Sequence, residues 1–159
     1  MTTPAPMAPT PRPGILDIAA YVPGSHNIPG VEIKAVLSAN ENPLGPSPRA
    51  VAAYRALAEK LHRYPEGGSS VLRAALAKQY GLDAQRIVCG NGSDELLGLL
   101  VHAYAGPGDE VLYSQYGFLM YPIAAKANGA TPVTAPEKDY RADVDAILKR
   151  VTPRTKIVF

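Results

Sequence analysis

The hydrophobic pattern changes character near residue 86. From there on, strand-length apolar runs alternate with stretches of helical period. Arg86-Ile87-Val88-Cys89 reads as a buried strand, followed by a helix over 93–105. Gly106-Pro107-Gly108-Asp109 breaks that helix, and Glu110 to Ser114 is the next strand. A helix near 118–127 stops at Asn128-Gly129, Thr131 to Thr134 makes a third strand, and Asp143 to Val151 a further helix. Lys156-Ile157-Val158-Phe159 begins a fourth strand. Strands alternating with helices argue for a mostly parallel α/β sheet with helices on both faces and right-handed crossovers. The 93–105 helix is apolar nearly all round (Leu96, Leu97, Leu99, Leu100, Val101), so it is expected to be buried. Gly98 within it costs about 1 kcal/mol against alanine, which points to a close backbone contact there.

Before residue 86 the pattern is looser. Residues 1–14 form a proline-rich tail, with Pro4, Pro6, Pro9, Pro11 and Pro13 spaced among Thr and Ala, and are expected to be disordered. An arm over 15–48 includes the turn-rich Tyr21-Val22-Pro23-Gly24 and a short extended segment from Val31 to Ala39. Ser47-Pro48 is a helix start, an N-cap followed by proline at the first helical position. The helix behind it lines up Val51, Tyr54, Leu57, Ala58 and Leu61 on one face. A second helix carries Val71, Leu72, Ala75, Leu76 and Tyr80, and Gly81 ends it. Residues 49–159 are expected to be the first part of a larger α/β domain.

Composition excludes more than it selects. At 159 residues and 47% hydrophobic content the chain can bury a core, and a net charge of +2 gives no electrostatic case for nucleic acid or an anionic membrane. Cys89 is the single cysteine, so no disulfide or metal set can form from cysteines, and His26, His62 and His102 have no ligand spacing. No apolar run approaches the roughly twenty residues that span a bilayer, and the N-terminus lacks the pattern of a signal peptide. A cytoplasmic location is expected.

The candidate chemistry sits in Cys89-Gly90-Asn91-Gly92-Ser93-Asp94-Glu95. A strand that feeds a helix N-terminus through glycines gathers unpaired backbone N–H groups in one place, with the positive end of the helix dipole behind them. That arrangement suits a phosphate. The dinucleotide fingerprint fails, because Glu95 stands where its third glycine belongs, and no Gly-Lys-Ser/Thr follows as an ATP-type loop requires. An ordinary glycine-softened turn with a plain cap is the bland alternative. Asn91-Gly92-Ser93 also matches a glycosylation acceptor, but nothing else in the chain points to secretion.

Four stretches settle on one family. Leu37-Ser38-Ala39-Asn40-Glu41-Asn42-Pro43-Leu44-Gly45-Pro46-Ser47-Pro48 resembles the opening motif of the fold-type I pyridoxal-phosphate aminotransferases of the histidinol-phosphate aminotransferase group. Arg63-Tyr64-Pro65-Glu66, Gly90-Asn91-Gly92-Ser93-Asp94-Glu95 and the segment Tyr113 to Tyr121 follow in the family's order and spacing. The resemblance implies an incomplete fold-type I large domain preceded by an N-terminal arm. It implies pyridoxal 5'-phosphate as cofactor, L-histidinol phosphate and 2-oxoglutarate as substrates in histidine biosynthesis, and a homodimer as the full-length form. A relative acting on aromatic amino acids and a non-catalytic truncated remnant stand as alternatives.

The same resemblance assigns residues. The backbone N–H groups of Gly92, Ser93 and Asp94 would receive the cofactor phosphate, with the Ser93 hydroxyl as helper, while the Asp94 and Glu95 carboxylates read as first-turn charges complementing the dipole. Phe118 would lie against the cofactor ring, Tyr64 would reach the phosphate of the other subunit, and Tyr21 and Asn42 would line the substrate pocket. From spacing alone, Phe118, Tyr116 and Tyr121 read equally well as core aromatics. No catalytic residue is assigned, because none of the seven lysines has serine three positions before it, as the family's Schiff-base lysine does. The chain stops inside the apolar run Ile157-Val158-Phe159, so it is expected to be the N-terminal part of a longer enzyme, inactive and prone to aggregate when expressed alone.

Overall fold

The computed structural model describes residues 10–22, 29–32 and 40–159. Pro23-Gly24 of the arm and most of the extended segment anticipated over Val31 to Ala39 lie outside them, as does most of the tail. The chain forms two compact units, residues 1–21 together with 89–159, and residues 22–88.

In the 22–88 unit, α1 (Pro48–Leu57) begins as its sequence requires. Ser47 is extended and its hydroxyl accepts from Ala50 N at 3.2 Å, with Pro48 at the first helical position. A 3₁₀ turn over Ala58–Lys60 continues it. Helix α2 (Ser70–Tyr80) ends at Gly81, whose φ of 67° is the left-handed conformation that glycine adopts without steric penalty. At its other end the carboxylate of Glu66 brackets the turn, accepting from Gly68 N and Ser70 N at 2.8 Å each. Those two hydrogen bonds, Ser70 first, hold the Glu66 carboxyl below its ordinary titration range. Arg73 ties the same helix to the carbonyl of Ala84 through Nε at 2.9 Å.

The expected buried strand at 86–89 does not form. Ala84–Arg86 is a 3₁₀ turn capped by Asp83, Ile87 is extended, Val88 is 73% exposed and Cys89 only half-buried. A strand is defined by a neighbour, and no described residue pairs with this segment.

The other unit is the α/β body. Strands β1 (Glu110–Ser114) and β2 (Thr131–Ala135) and the C-terminal β5 (Thr155–Val158) form a parallel sheet in the order β2-β1-β5. Glu110 pairs with Thr131 on one side and Thr155 on the other, with a register shift between Glu110 and Val111 on the β5 side. Central β1 is buried on both faces. Val111 joins Val101, Ala105, Ala124, Ala125 and Ala130 in one cluster, while Leu112, pointing the opposite way, is fully buried as well. Pro132, which has no N–H to donate, is accommodated on the edge strand β2.

Helix α3 (Gly92–Tyr104) precedes the sheet, and α4 (Met120–Ala127) crosses from β1 to β2. The expectation that α3 is buried all round fails. Val101 is its only buried residue, and Leu99 stays 49% exposed, because the sheet and α4 cover one side of the helix and no described element covers the other. Gly98 has no atom within 4 Å of where a Cβ would stand, so the close contact anticipated there is absent. After β2, a small antiparallel hairpin of β3 (Glu137–Lys138) and β4 (Arg141–Ala142) turns through Asp139 and Tyr140, both at positive φ. The short α5 (Val144–Leu148), capped by the Asp143 carboxylate on Ala146 N, then leads to β5.

Thr10 to Tyr21 belongs to this unit too. Residues 12–18 form successive turns, Arg12 donates to the carbonyl of Ala127 at 2.8 Å, and Lys126 Nζ donates to the carbonyl of Asp17 at 3.0 Å.

Candidate active site

The ends of the elements fix where a ligand can sit. His102, in the last turn of α3, meets Asn128, just past the end of α4, with Nδ1 and Oδ1 3.0 Å apart. The two helices therefore lie side by side with their C-termini together, and both run opposite to β1. Their N-termini consequently stand at the carboxyl end of the sheet, the end at which open α/β sheets bind ligands.

At that end, the start of α3 has a specific form. Gly92 has φ of 78°, and its N–H, expected among the phosphate donors, instead turns back onto the carbonyl of Gly90 at 2.9 Å. Asn91, the N-cap, makes no capping bond with its own side chain. Instead both its N–H and its side-chain Nδ2 donate to a single oxygen, Oε2 of Glu95, at 2.5 and 3.2 Å. Gly90 is required for this: a Cβ at that position would stand 2.8 Å from the same oxygen and 3.1 Å from the Leu96 side chain. The N–H groups of Ser93 and Asp94 have no intrahelical partner and find no acceptor among the described residues. Space in front of Gly92 is open, with nothing within 4 Å of a Cβ position. Two free donors, a positive helix end and open space make a cradle that fits a phosphate.

The second feature at this end of the sheet is aromatic. The turn after β1 tightens at Gly117, whose N–H bonds the Ser114 carbonyl at 2.9 Å, and a Cβ there would strike that carbonyl and the Tyr121 ring. Phe118 follows, 39% exposed, edge-on to Tyr21 (ring centroids 6.4 Å apart) and to Tyr121 (6.0 Å). Tyr121 stacks on Phe159 at 4.7 Å and leans on Tyr113 at 5.8 Å. Burial raises the Tyr113 phenol above its usual value. Tyr116 is more exposed than Phe118 and pairs with Tyr140.

Of the residues assigned from the sequence, Gly92, Ser93, Asp94, Phe118 and Tyr21 thus fall in one unit. Asn42 and Tyr64 fall in the other. There Asn42 Oδ1 holds the local turn by accepting from Leu44 N at 3.0 Å, and the Tyr64 ring is fully exposed. Sequence reasoning left Glu95 as a dipole charge and missed its hold on Asn91. Among the described residues no group of His, Cys, Asp and Glu is placed to bind a metal, and no helix is long and apolar enough to cross a membrane.

Unpaired N–H groups at a helix start and a partly exposed aromatic side chain thus stand at the carboxyl end of a parallel sheet, the end where open α/β folds bind ligands. The family model "Aminotransferase class I and II" matches residues 32–159, and the chain belongs to that family. Its curated relatives include the histidinol-phosphate aminotransferase of Paramagnetospirillum magneticum, 65% identical over 96% of this chain, and that of Rhodospirillum centenum, 61% identical over 95%. The chain spans 42% of the length of each. Among solved structures, histidinol-phosphate aminotransferase from Sinorhizobium meliloti in complex with pyridoxal-5'-phosphate superposes with a TM-score of 0.69 at 31% identity, over 73% of this chain and 32% of that one.

Proposed function

We propose that the protein is a transaminase that uses pyridoxal 5'-phosphate to move an amino group between L-histidinol phosphate and 2-oxoglutarate in histidine biosynthesis. In this reading the whole protein works as a cytoplasmic homodimer. The observation that carries the proposal is the 65% identity to a histidinol-phosphate aminotransferase across nearly all of this chain. The free N–H pair at the start of α3 supports it, because a phosphate-bearing cofactor needs such an anchor.

Bound pyridoxal phosphate supplies an electron-withdrawing ring that takes up negative charge from the substrate carbon. The chain's own residues do the holding. The N–H groups of Ser93 and Asp94 receive the phosphate, and the open backbone at Gly92 lets it approach. The Ser93 hydroxyl adds a donor, and the partly exposed face of Phe118 keeps the ring flat. Tyr64, whose hydroxyl bonds to no described residue, reaches the phosphate of the other subunit, while Tyr21 and Asn42 line the substrate pocket. None of the seven lysines has the sequence context of the family's Schiff-base lysine, so no catalytic lysine is assigned among residues 1–159.

The test is transamination by the protein expressed from its whole reading frame, with glutamate as amino donor. Amination of imidazole acetol phosphate well above that of phenylpyruvate supports the proposal. Preference for phenylpyruvate, or no spectral response to added pyridoxal phosphate, overturns it.

A further inference from the structure

We infer that Glu95 is a positioning residue for the cofactor phosphate, acting through Asn91 and not by contact with the ligand. The inference rests on the cofactor reading above. A carboxylate in the first turn of a phosphate-binding helix is at first sight a contradiction, since it would repel a dianion. The geometry removes it. The Glu95 side chain is folded back onto the N-cap, where its Oε2 alone takes both the N–H and the Nδ2 of Asn91. Its charge is thereby engaged by the Asn91 donors, and the Ser93 and Asp94 N–H groups stay without an acceptor among the described residues.

The clamp has a second component. Gly92 N–H closes onto the Gly90 carbonyl, and a Cβ at Gly90 would stand 2.8 Å from Glu95 Oε2, so a side chain there would displace the carboxylate from its present position. Gly90, Asn91, Gly92 and Glu95 therefore form one unit that sets the direction of the two N–H groups behind it. Removing the acceptor leaves the Asn91 N–H unpaired and frees a turn that already contains a positive-φ glycine. The donors would then lose their aim and their bonds to the phosphate would weaken, although Glu95 itself touches no ligand.

Because one oxygen accepts both bonds, a glutamine at 95 can replace the carboxylate through its carbonyl, whereas alanine cannot. This separates positioning from charge. The experiment is calorimetric titration of the intact apoprotein with pyridoxal phosphate and with pyridoxal, which share the ring and differ in the phosphate. The ratio of the two affinities reads the cradle alone, and a general loss of stability, followed by the apoprotein's melting temperature, changes both affinities together. Glu95→Ala is expected to lower the preference for the phosphate ester about tenfold, the size of one lost hydrogen bond to a charged group. Gly90→Ala should do the same by displacing the carboxylate, and Glu95→Gln should stay within about threefold of the parent. If Glu95→Ala keeps the parent's preference, or Glu95→Gln loses as much as Glu95→Ala, the inference falls while the cofactor reading stands. A parent protein with no preference for pyridoxal phosphate over pyridoxal overturns both.

Discussion

Glu110 and Arg154 join the amino ends of two adjacent parallel strands, with Arg154 Nε 3.0 Å from Glu110 Oε1. Glu110 opens the central strand and is only 5% exposed, and its other oxygen accepts from the hydroxyls of Thr152 at 2.6 Å and Thr155 at 3.2 Å. A buried carboxylate is tolerated only with such partners. Here it is bonded on both oxygens, which ties the start of β5 to the start of β1.

This arrangement predicts an acid-sensitive sheet. The Thr152 hydroxyl first, and then Arg154, hold the Glu110 carboxyl below its ordinary value of 4.5. A depressed native value means that the unfolded chain binds the proton more readily. The stabilisation is then complete above 4.5 and drains away as pH falls from there through the native value. Urea midpoints measured down a pH series should decline below 4.5 in the parent, with a shallower decline in Glu110→Gln. Parallel curves for the two proteins would contradict the assignment.

Gly92 and Ser93 should respond unequally to substitution. With Gly92 at φ of 78° and open space in front, Gly92→Val suffers from backbone strain and not from a clash, at a cost of about 1–2 kcal/mol or more for a β-branched residue. Its turn would also relax away from the cradle. Ser93→Ala keeps the N–H and loses one hydroxyl, worth roughly 0.5–1.5 kcal/mol of cofactor affinity. Equilibrium dialysis of pyridoxal phosphate against both variants checks the order, and equal affinities for Gly92→Val and the parent would place the cradle elsewhere.

Tyr64→Phe should separate binding from folding. The Tyr64 ring is fully exposed and its hydroxyl bonds to no described residue, so chemical denaturation should shift by no more than about 0.5 kcal/mol. Cofactor affinity in the homodimer should fall by roughly 0.5–1.5 kcal/mol if the hydroxyl reaches the phosphate. Mixed dimers carrying Tyr64→Phe in one subunit and Gly92→Val in the other should recover one intact site. Failure to recover it would exclude action across the interface.

Leu112 and Leu99 are a matched pair for burial. Leu112→Ala opens a cavity in a strand covered on both faces and should cost about 2–5 kcal/mol. Leu99→Ala removes a side chain that is half in solvent and should cost well under half as much in this chain. Urea unfolding of the two variants measures the difference directly, and similar losses would show that α3 is covered on the side the fold leaves open.

Local chemistry was legible where a residue acts on its own neighbours. Ser47-Pro48 started α1, Gly81 stopped α2, Asn128-Gly129 stopped α4, and the apolar run from Glu110 became β1, because caps, glycine φ angles and side-chain period are properties of a few consecutive residues. The glycine turn at the start of α3 was legible for the same reason. What needs a second segment was decided only by the tertiary structure. Ile87 is extended yet residues 87–89 make no strand without a neighbour, and α3 looks apolar all round yet is covered on one side. Glu110 finds Arg154 from 44 residues away, and no periodicity announces that pairing. Even the short-range hold of Glu95 on Asn91 goes with the backbone path at Gly90 and Gly92, where a Cβ at 90 would stand 2.8 Å from the same oxygen and Gly92 has φ of 78°.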